Sequence, residues 1–301
     1  MSGVVVQKPS EQQPPGRSRL RRVFRQLGRS TVGKLGAFMV STVLIAAILA
    51  PVIAPHDPAQ HHRQERFLPP AWIDGGSREY LLGTDQLGRD VLSRLLYGSR
   101  ISVIVGISAV VVGGTLGALL GLLAGLSGGR IDAIVSRGID TFLALPFIIL
   151  VLAVVGVLGP SLLTIILVLG VTGWATYARV VRGEAMAVRQ RDFVSAATAL
   201  GASRLRVARK HVLPNITASI IVLATLDVAA TILAESALSF LGLGVQPPAV
   251  TWGLMIATGR EYLASSWWLA VLPGLCISYT VLGVMFLGDF LRDVLDPKID
   301  V

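Results

Sequence analysis

Polar and apolar positions divide the chain into long uncharged runs separated by short charged islands. Nothing charged occurs between Lys34 and His56, between Arg100 and Arg130, or between Asp140 and Arg179. Each run is long enough to cross a hydrocarbon core of about 30 Å as a helix. The third would reach about twice that thickness at 1.5 Å per residue, so it must turn back, and Gly159-Pro160-Ser161 is where it does so. This predicts a third helix near 140–158, entered or kinked at Pro146, and a fourth near 162–181. A fifth span over Ile216–Gly244 and a sixth over about Leu269–Gly288 complete an all-α integral membrane protein of six transmembrane helices. In order, the pattern predicts a basic tail at 1–34, a first helix at 35–55 and an external loop at 56–99. A core follows at 100–289, with a polar loop at 183–215, and then a short C-terminal segment at 290–301.

Composition agrees, with 53% hydrophobic and 15% charged residues. The Arg-rich lead and a first run ending in Pro51 and Pro55, without a small-residue cleavage pattern, argue against a cleaved signal peptide. The net charge of +9 reflects Arg-rich loops beside a lipid bilayer and predicts no nucleic-acid partner. With both termini cytoplasmic, only Arg63, Arg66, Arg78, Arg89, Arg94, Arg100 and Arg260 of the 27 Lys and Arg fall outside. That bias sets the expected orientation. Cys276 is the single cysteine and sits in an apolar run, so it is a small buried hydrophobe.

Further signals lie inside the spans. Gly106, Gly113, Gly114, Gly117, Gly121 and Gly125 recur at nearly helical spacing, as close helix packing in lipid requires. Asp227 and Glu235 interrupt the fifth span, and a membrane carboxylate must face protein or water. With Ser239 they line either the translocation path or a packing interface. Val91, Leu92, Leu95 and Leu96 predict an amphipathic helix over Leu82–Arg100. Paired prolines and glycines predict an irregular stretch after the fifth span, with Trp252, Tyr262, Trp267 and Trp268 forming an interface belt. His56, His61 and His62 lack an accompanying carboxylate pattern and read as solvated rather than metal-binding, and no other metal site is expected.

Arg191–Asn215 is a basic island with its own helical pattern. Phe193, Ala196, Ala197 and Leu200 share one face of a short helix capped by Asp192, and Gly201 stops it. Ser203 caps a second helix whose Leu205, Ala208 and Val212 share a face, with Arg204, Arg206, Arg209 and Lys210 around it, until Pro214 ends it.

These residues carry a resemblance. The spacing from Ala196-Ala197 to Gly201 and on to Leu213-Pro214 is similar to the EAA loop in permeases of binding-protein-dependent ABC importers, with Ser195 where a Glu is expected and His211 where an Ile is expected. Two further stretches, Leu82–Arg100 and Glu235–Gly253, resemble the C-type permease of dipeptide and oligopeptide importers. The resemblance implies a type-1 ABC importer transmembrane fold in a bacterial cytoplasmic membrane. Phe193, Ala196, Ala197, Leu200, Gly201, Arg204, Leu205, His211, Leu213 and Pro214 would then dock on an ATPase. Gln246, Pro247, Pro248 and Trp252 would face a binding protein. The implied partners are a homologous B-type permease, two ATP-binding subunits or one fused chain, and an extracytoplasmic peptide-binding protein. ATP and Mg would sit on the ATPases, since this chain has no phosphate-binding Gly-Lys-Ser/Thr loop, and no cofactor or catalytic residue is expected here. Importers of this kind also handle nickel chelates and glutathione-like peptides. A proton-coupled secondary transporter using Asp227 and Glu235 is the alternative class, although no inverted repeat supports it.

Overall fold

The computed structural model describes residue 23 and residues 25–295; Arg17, Arg19, Arg21 and Arg22 of the basic tail, and Asp296 and Pro297, lie outside them. Helix α1 covers Thr31–Ile53, and the Ser30 side chain caps it by accepting from the Gly33 N–H at 3.0 Å. An irregular cap of residues 54–90 follows, with one 3-10 turn at Arg63–Glu65. Next come α2 (Val91–Ser127), α3 (Gly129–Ala144), α4 (Phe147–Leu158) and α5 (Leu162–Arg189). The short α6 (Asp192–Ala199) and α7 (Arg204–Val207) precede α8 (Leu213–Phe240), α9 (Trp252–Gly259) and α10 (Trp268–Leu295). Among the described residues, five helical stretches are long and apolar enough to cross a membrane, and a sixth span results if α3 and α4 count as one.

The α2–α5 pair is the most extensive helix contact. Sequence explains why, because the glycines of α2 form a flat strip against α5. A Cβ at Gly113 would come 2.6 Å from the Gly170 carbonyl oxygen, one at Gly117 2.4 Å from that of Trp174, and one at Gly121 2.6 Å from that of Ala178. The partners advance along both helices together, so α2 and α5 run parallel. The end of α5 therefore lies opposite the cap.

The cap is a folded unit. Asp90 accepts from the Ser93 N–H at 2.8 Å and the Ser93 hydroxyl at 2.6 Å, and that hydroxyl accepts from the His56 N–H at 3.0 Å. His56 stacks on buried Tyr80 with ring centroids 4.9 Å apart, and Tyr80 donates to Glu65. Burial and the Glu65 carboxylate push the Tyr80 phenol up from its ordinary value. Two of the three histidines are thus packed into the cap, His62 lying within 3.7 Å of Glu65.

Several expected boundaries shift. The second helix begins at Val91 rather than Ile101, so the amphipathic helix over Leu82–Arg100 is really a turn followed by the first turns of α2. Arg94 does not face water, because it is 5% exposed and its Nε lies 3.5 Å from Asp85, which also pairs with Arg89 at 2.7 Å. The expected third helix near 140–158 is preceded by helical residues from Gly129 onward, as α3, and the third span is broken at Leu145-Pro146 with an 88° bend. Pro146 lacks the N–H a continuous helix needs, so Leu145 is extended and Pro146 becomes the N-cap of α4. The fifth helix stops at Phe240, whereas the sixth continues to Leu295 and carries Asp289, Arg292 and Asp293 in its last turns. Part of the segment after the fifth span is helical after all, as α9. Trp252 and Trp268 are buried at 2% and 5% exposure, packed in the core rather than in a belt. Indole N–H groups explain this, Trp252 donating to the Leu95 carbonyl at 2.9 Å and Trp268 to that of Thr84 at 3.4 Å.

Gly117→Val is expected to force the α2–α5 seam apart at a cost of about 1–3 kcal/mol. Gly114→Val should cost less, since its Cβ would meet only the Tyr177 ring, at 3.4 Å. Thermal unfolding of the two variants in detergent, followed by size-exclusion recovery, measures the difference.

Candidate functional site

At the end of the bundle away from the cap, α5 gives way to the basic hairpin. Arg191 occupies the N-cap of α6 and makes no side-chain cap bond, so Asp192 is the first helical residue and not the cap. A carboxylate in the first turn still complements the helix N-terminus. The helix ends in a Schellman motif in which the Gly201 N–H donates to the Thr198 carbonyl at 2.9 Å and the Ala202 N–H to that of Ala197 at 3.0 Å. Gly201 has φ +84°, and nothing lies within 4 Å of where its Cβ would stand. Glycine is required there for backbone geometry rather than for space. Ser203 caps α7, accepting from the Arg206 N–H at 3.4 Å.

Pro214 does not end the second helix. α7 continues through a π-turn at Ala208–Val212 directly into α8, forming one element over Arg204–Phe240. The wider turn lets the Leu213 N–H reach the Ala208 carbonyl and takes up the missing N–H of Pro214, while the Asn215 side chain donates to the His211 carbonyl at 2.6 Å. This extra residue also shifts the helical register. Leu205 and Val212 consequently do not share a face, Leu205 being 67% exposed and Val212 fully buried.

The hairpin is fastened by valines. Val194, Val207 and Val212 pack with Val181, Val188 and Ile216, and Leu126 of α2 packs against them. Sequence reasoning passed over Val194 and Val207, although the three valines are the aliphatic β-branched residues of this island and were the available signal. The residues expected to form the apolar face point away from the chain's own core. Leu200 is 89% exposed and Phe193 42%, Ala196 and Pro214 are exposed, and Leu213 is partly so. His211 lies against Phe193 with ring centroids 6.1 Å apart, joining the two arms. Arg206, Arg209 and Lys210 surround a depression beside Leu205, whereas Ser195 shares a second one with Arg189 and Arg204. The result is a surface of exposed leucines among Arg204, Arg206, Arg209 and Lys210, which pair with no carboxylate among the described residues, and it is suited to docking.

Above it, α3 is tied to α5 by Arg182, which forks onto Asp132, and by Arg179, which donates to Asp140 at 2.9 Å. The carboxylates of α8 face different neighbours. Asp227 is half-buried beside Tyr177 and Gly173 of α5, the Tyr177 hydroxyl lying outside hydrogen-bond geometry. Glu235 is fully buried and accepts from the Ser239 hydroxyl at 2.7 Å, and Ser239 in turn accepts from Thr251, the N-cap of α9, at 3.3 Å. Within this chain Glu235 and Ser239 thus join α8 to α9. On the cap side Gln246, Pro247 and Pro248 are exposed, with Gln246 donating to the Gly242 and Gly244 carbonyls at 3.2 and 3.1 Å. Trp252, expected to face a partner, is turned inward instead.

The structure is thus a multi-pass helical bundle with a basic hairpin at one end and a folded cap at the other. Residues 117–301 match the family described as "Binding-protein-dependent transport system inner membrane component", and residues 18–70 match "N-terminal TM domain of oligopeptide transport permease C". The chain is 44% identical over 268 residues to the di/tripeptide transport system permease protein DppC of Pseudomonas aeruginosa, covering 89% of this chain and 88% of that one. It is 42% identical over 280 residues to the dipeptide transport system permease protein DppC of Escherichia coli K12, covering 93% of each, and 40% identical over 286 residues to that of Bacillus subtilis, covering 95% and 88%. Its fold is similar to a chain of the inward-facing MetNI methionine ABC transporter, with TM-score 0.52 and 20% identity over 67% of this chain and 96% of that one. The chain belongs to the binding-protein-dependent transport permease family, as a multi-pass inner-membrane subunit.

Gly201→Ala should cost about 1–2 kcal/mol through backbone strain alone. Faster amide hydrogen exchange confined to α6 and the following turn, with α8 unchanged, is the expected reading.

Proposed function

We propose that this chain forms half of the translocation path of an ATP-driven importer of di- and oligopeptides, the other half being a homologous permease. The observation that carries the mechanical part is the hairpin surface itself, where Leu200 and Leu205 stand exposed among Arg204, Arg206, Arg209 and Lys210 on a base held by buried valines. The substrate class is supported by relatives named as di- and tripeptide permeases at 40–44% identity. Both termini lie on the cytoplasmic side, where the hairpin meets an ATP-binding subunit. ATP and Mg are handled by such subunits, separate or fused, and this chain performs no hydrolysis of its own. A peptide-binding protein docks at the cap side, where Gln246, Pro247 and Pro248 are exposed.

Mechanically, closure of the ATPase dimer moves the hairpin as a rigid body. The valine cluster transmits that motion to α5 and α8, and the Asp132–Arg182 and Asp140–Arg179 pairs carry α3 with α5. The packed helices then exchange between two arrangements open to opposite sides.

Leu200→Asp combined with Leu205→Asp removes the apolar contact without touching the buried anchor. Co-purification of the ATPase subunits and peptide-stimulated ATP hydrolysis should fall at least tenfold, the loss expected if about 1.4 kcal/mol or more of docking energy is removed. Insertion and thermal stability of the subunit should stay unchanged. Wild-type coupling in this variant would refute the docking role. Asp227→Asn should alter uptake kinetics if its half-exposed carboxylate meets the path, and unchanged uptake assigns it to packing against Tyr177.

A further inference from the structure

Glu235 has more polar neighbours than it bonds. Its side chain is 0% exposed, and the Ser236 and Thr251 hydroxyls, on residues 8% and 0% exposed, stand around the carboxylate together with Ser239. On one side the bonds form a closed chain. Thr251 accepts from the Leu254 N–H at 3.1 Å and donates to Ser239, which donates to Oε1 of Glu235. Both hydroxyl protons of that chain are then spent. On the other side, Oε2 of Glu235 and Oγ of Ser236 are buried with no hydrogen-bond partner among the described residues, and so is Oγ of Ser102 on α2.

Packing brings these three atoms to one place. A Cβ at Gly98 of α2 would come 2.8 Å from Cδ1 of Trp252, and one at Gly106 would come 3.1 Å from Cγ1 of Ile232. Ser102 lies four residues from each glycine, on the same face of α2, and so faces the interval between Trp252 and Ile232. Ser236 occupies that interval. It stands one turn beyond Ile232 on α8, and its carbonyl oxygen lies 2.6 Å from where a Cβ of Gly253 would be, beside Trp252. Ser102 is 0% exposed, so the cluster is closed to lipid and to any other chain. Buried oxygens of this kind are bonded as a rule, because an unmade hydrogen bond leaves their desolvation uncompensated.

We infer that one ordered water molecule is bound here, donating to Oε2 of Glu235 and exchanging hydrogen bonds with the Ser102 and Ser236 hydroxyls. A buried water makes about three bonds to groups that otherwise have none, and the cluster offers Oε2 and the two Oγ atoms. The donors balance, since the water gives one proton to the carboxylate and one to a serine and accepts from the other serine. A hard cation such as calcium takes about six to eight oxygens, more than are free in this cluster. The water fastens α2 to the α8–α9 junction, so the Glu235 carboxylate serves three helices instead of two. This assignment rests on packing and hydrogen bonding and not on the transport reading.

The test uses the full transporter complex in lipid nanodiscs. A cryo-EM map that resolves ordered waters should show one density peak within hydrogen-bond distance of Oε2 of Glu235 and of both serine hydroxyls. Hydroxyls turned onto carbonyls of their own helices with no peak between them, or a peak ringed by further oxygens at metal-ligand distances, would overturn the assignment. Ser102→Ala and Ser236→Ala give a second reading. Each should lower the unfolding midpoint of the complex by about 2 °C, the shift for one lost buried hydrogen bond in a chain of this size. The double variant should lose less than the sum, because both serines act through one water. A higher or unchanged midpoint on removing either hydroxyl, as for an oxygen that bonds nothing, would refute the site, and so would strictly additive losses. Neither measurement involves peptide or ATP, so the outcome is independent of the proposed function.

Discussion

In hydrocarbon, helices gain nothing by hiding apolar surface from a solvent that is equally apolar, so association rests on how closely backbones can approach. The seam between α2 and α5 is where this chain meets that condition. Carbonyl oxygens of one helix sit where side chains would otherwise stand on the other, at Gly113, Gly117 and Gly121. This makes two parallel helices a single stiff body, and the rest is placed relative to it. The parallel course also requires a crossing between them, which the bent α3–α4 segment supplies.

The hairpin depends on that body through its base alone. Side chains on its inner side are small, branched and buried, whereas those on its outer side are large and exposed. Such an inversion is costly for an isolated protein and sensible for a subunit whose missing surface belongs to another chain. The cap at the opposite end is organised differently, by side-chain oxygens of Asp90, Asp85 and Thr84 that accept from the backbone N–H groups of Ser93, Arg89 and Leu68. Packing builds one end of the molecule and polar networks the other.

Uncharged runs, the glycine stripe and the two-helix island were legible in the sequence, because each follows from a periodicity or from the cost of charge in lipid. Less legible were features set by tertiary partners. Arg94 reads as a surface charge until Asp85 is brought beside it, and Trp252 reads as an interface anchor until the Leu95 carbonyl accepts its N–H. Pro214 gives a strong local stop signal, yet a π-turn absorbs the lost hydrogen bond and the helix continues. A repeat of apolar positions in the hairpin does not by itself say whether its partner lies within the chain or beyond it, and it is the exposure of Leu200, Phe193 and Leu205 that shows they do not face this chain's own core.

That π-turn has a mechanical corollary. From Arg204 to Phe240 the chain is a single lever of 37 residues, about 55 Å long, with no joint between the hairpin and the polar junction at Glu235 and Ser239. Tilting its near end by about 5° would swing the far end by roughly 5 Å over that length. A stop at Pro214 would have placed a hinge in that path, and the small rotation would have been lost where it began.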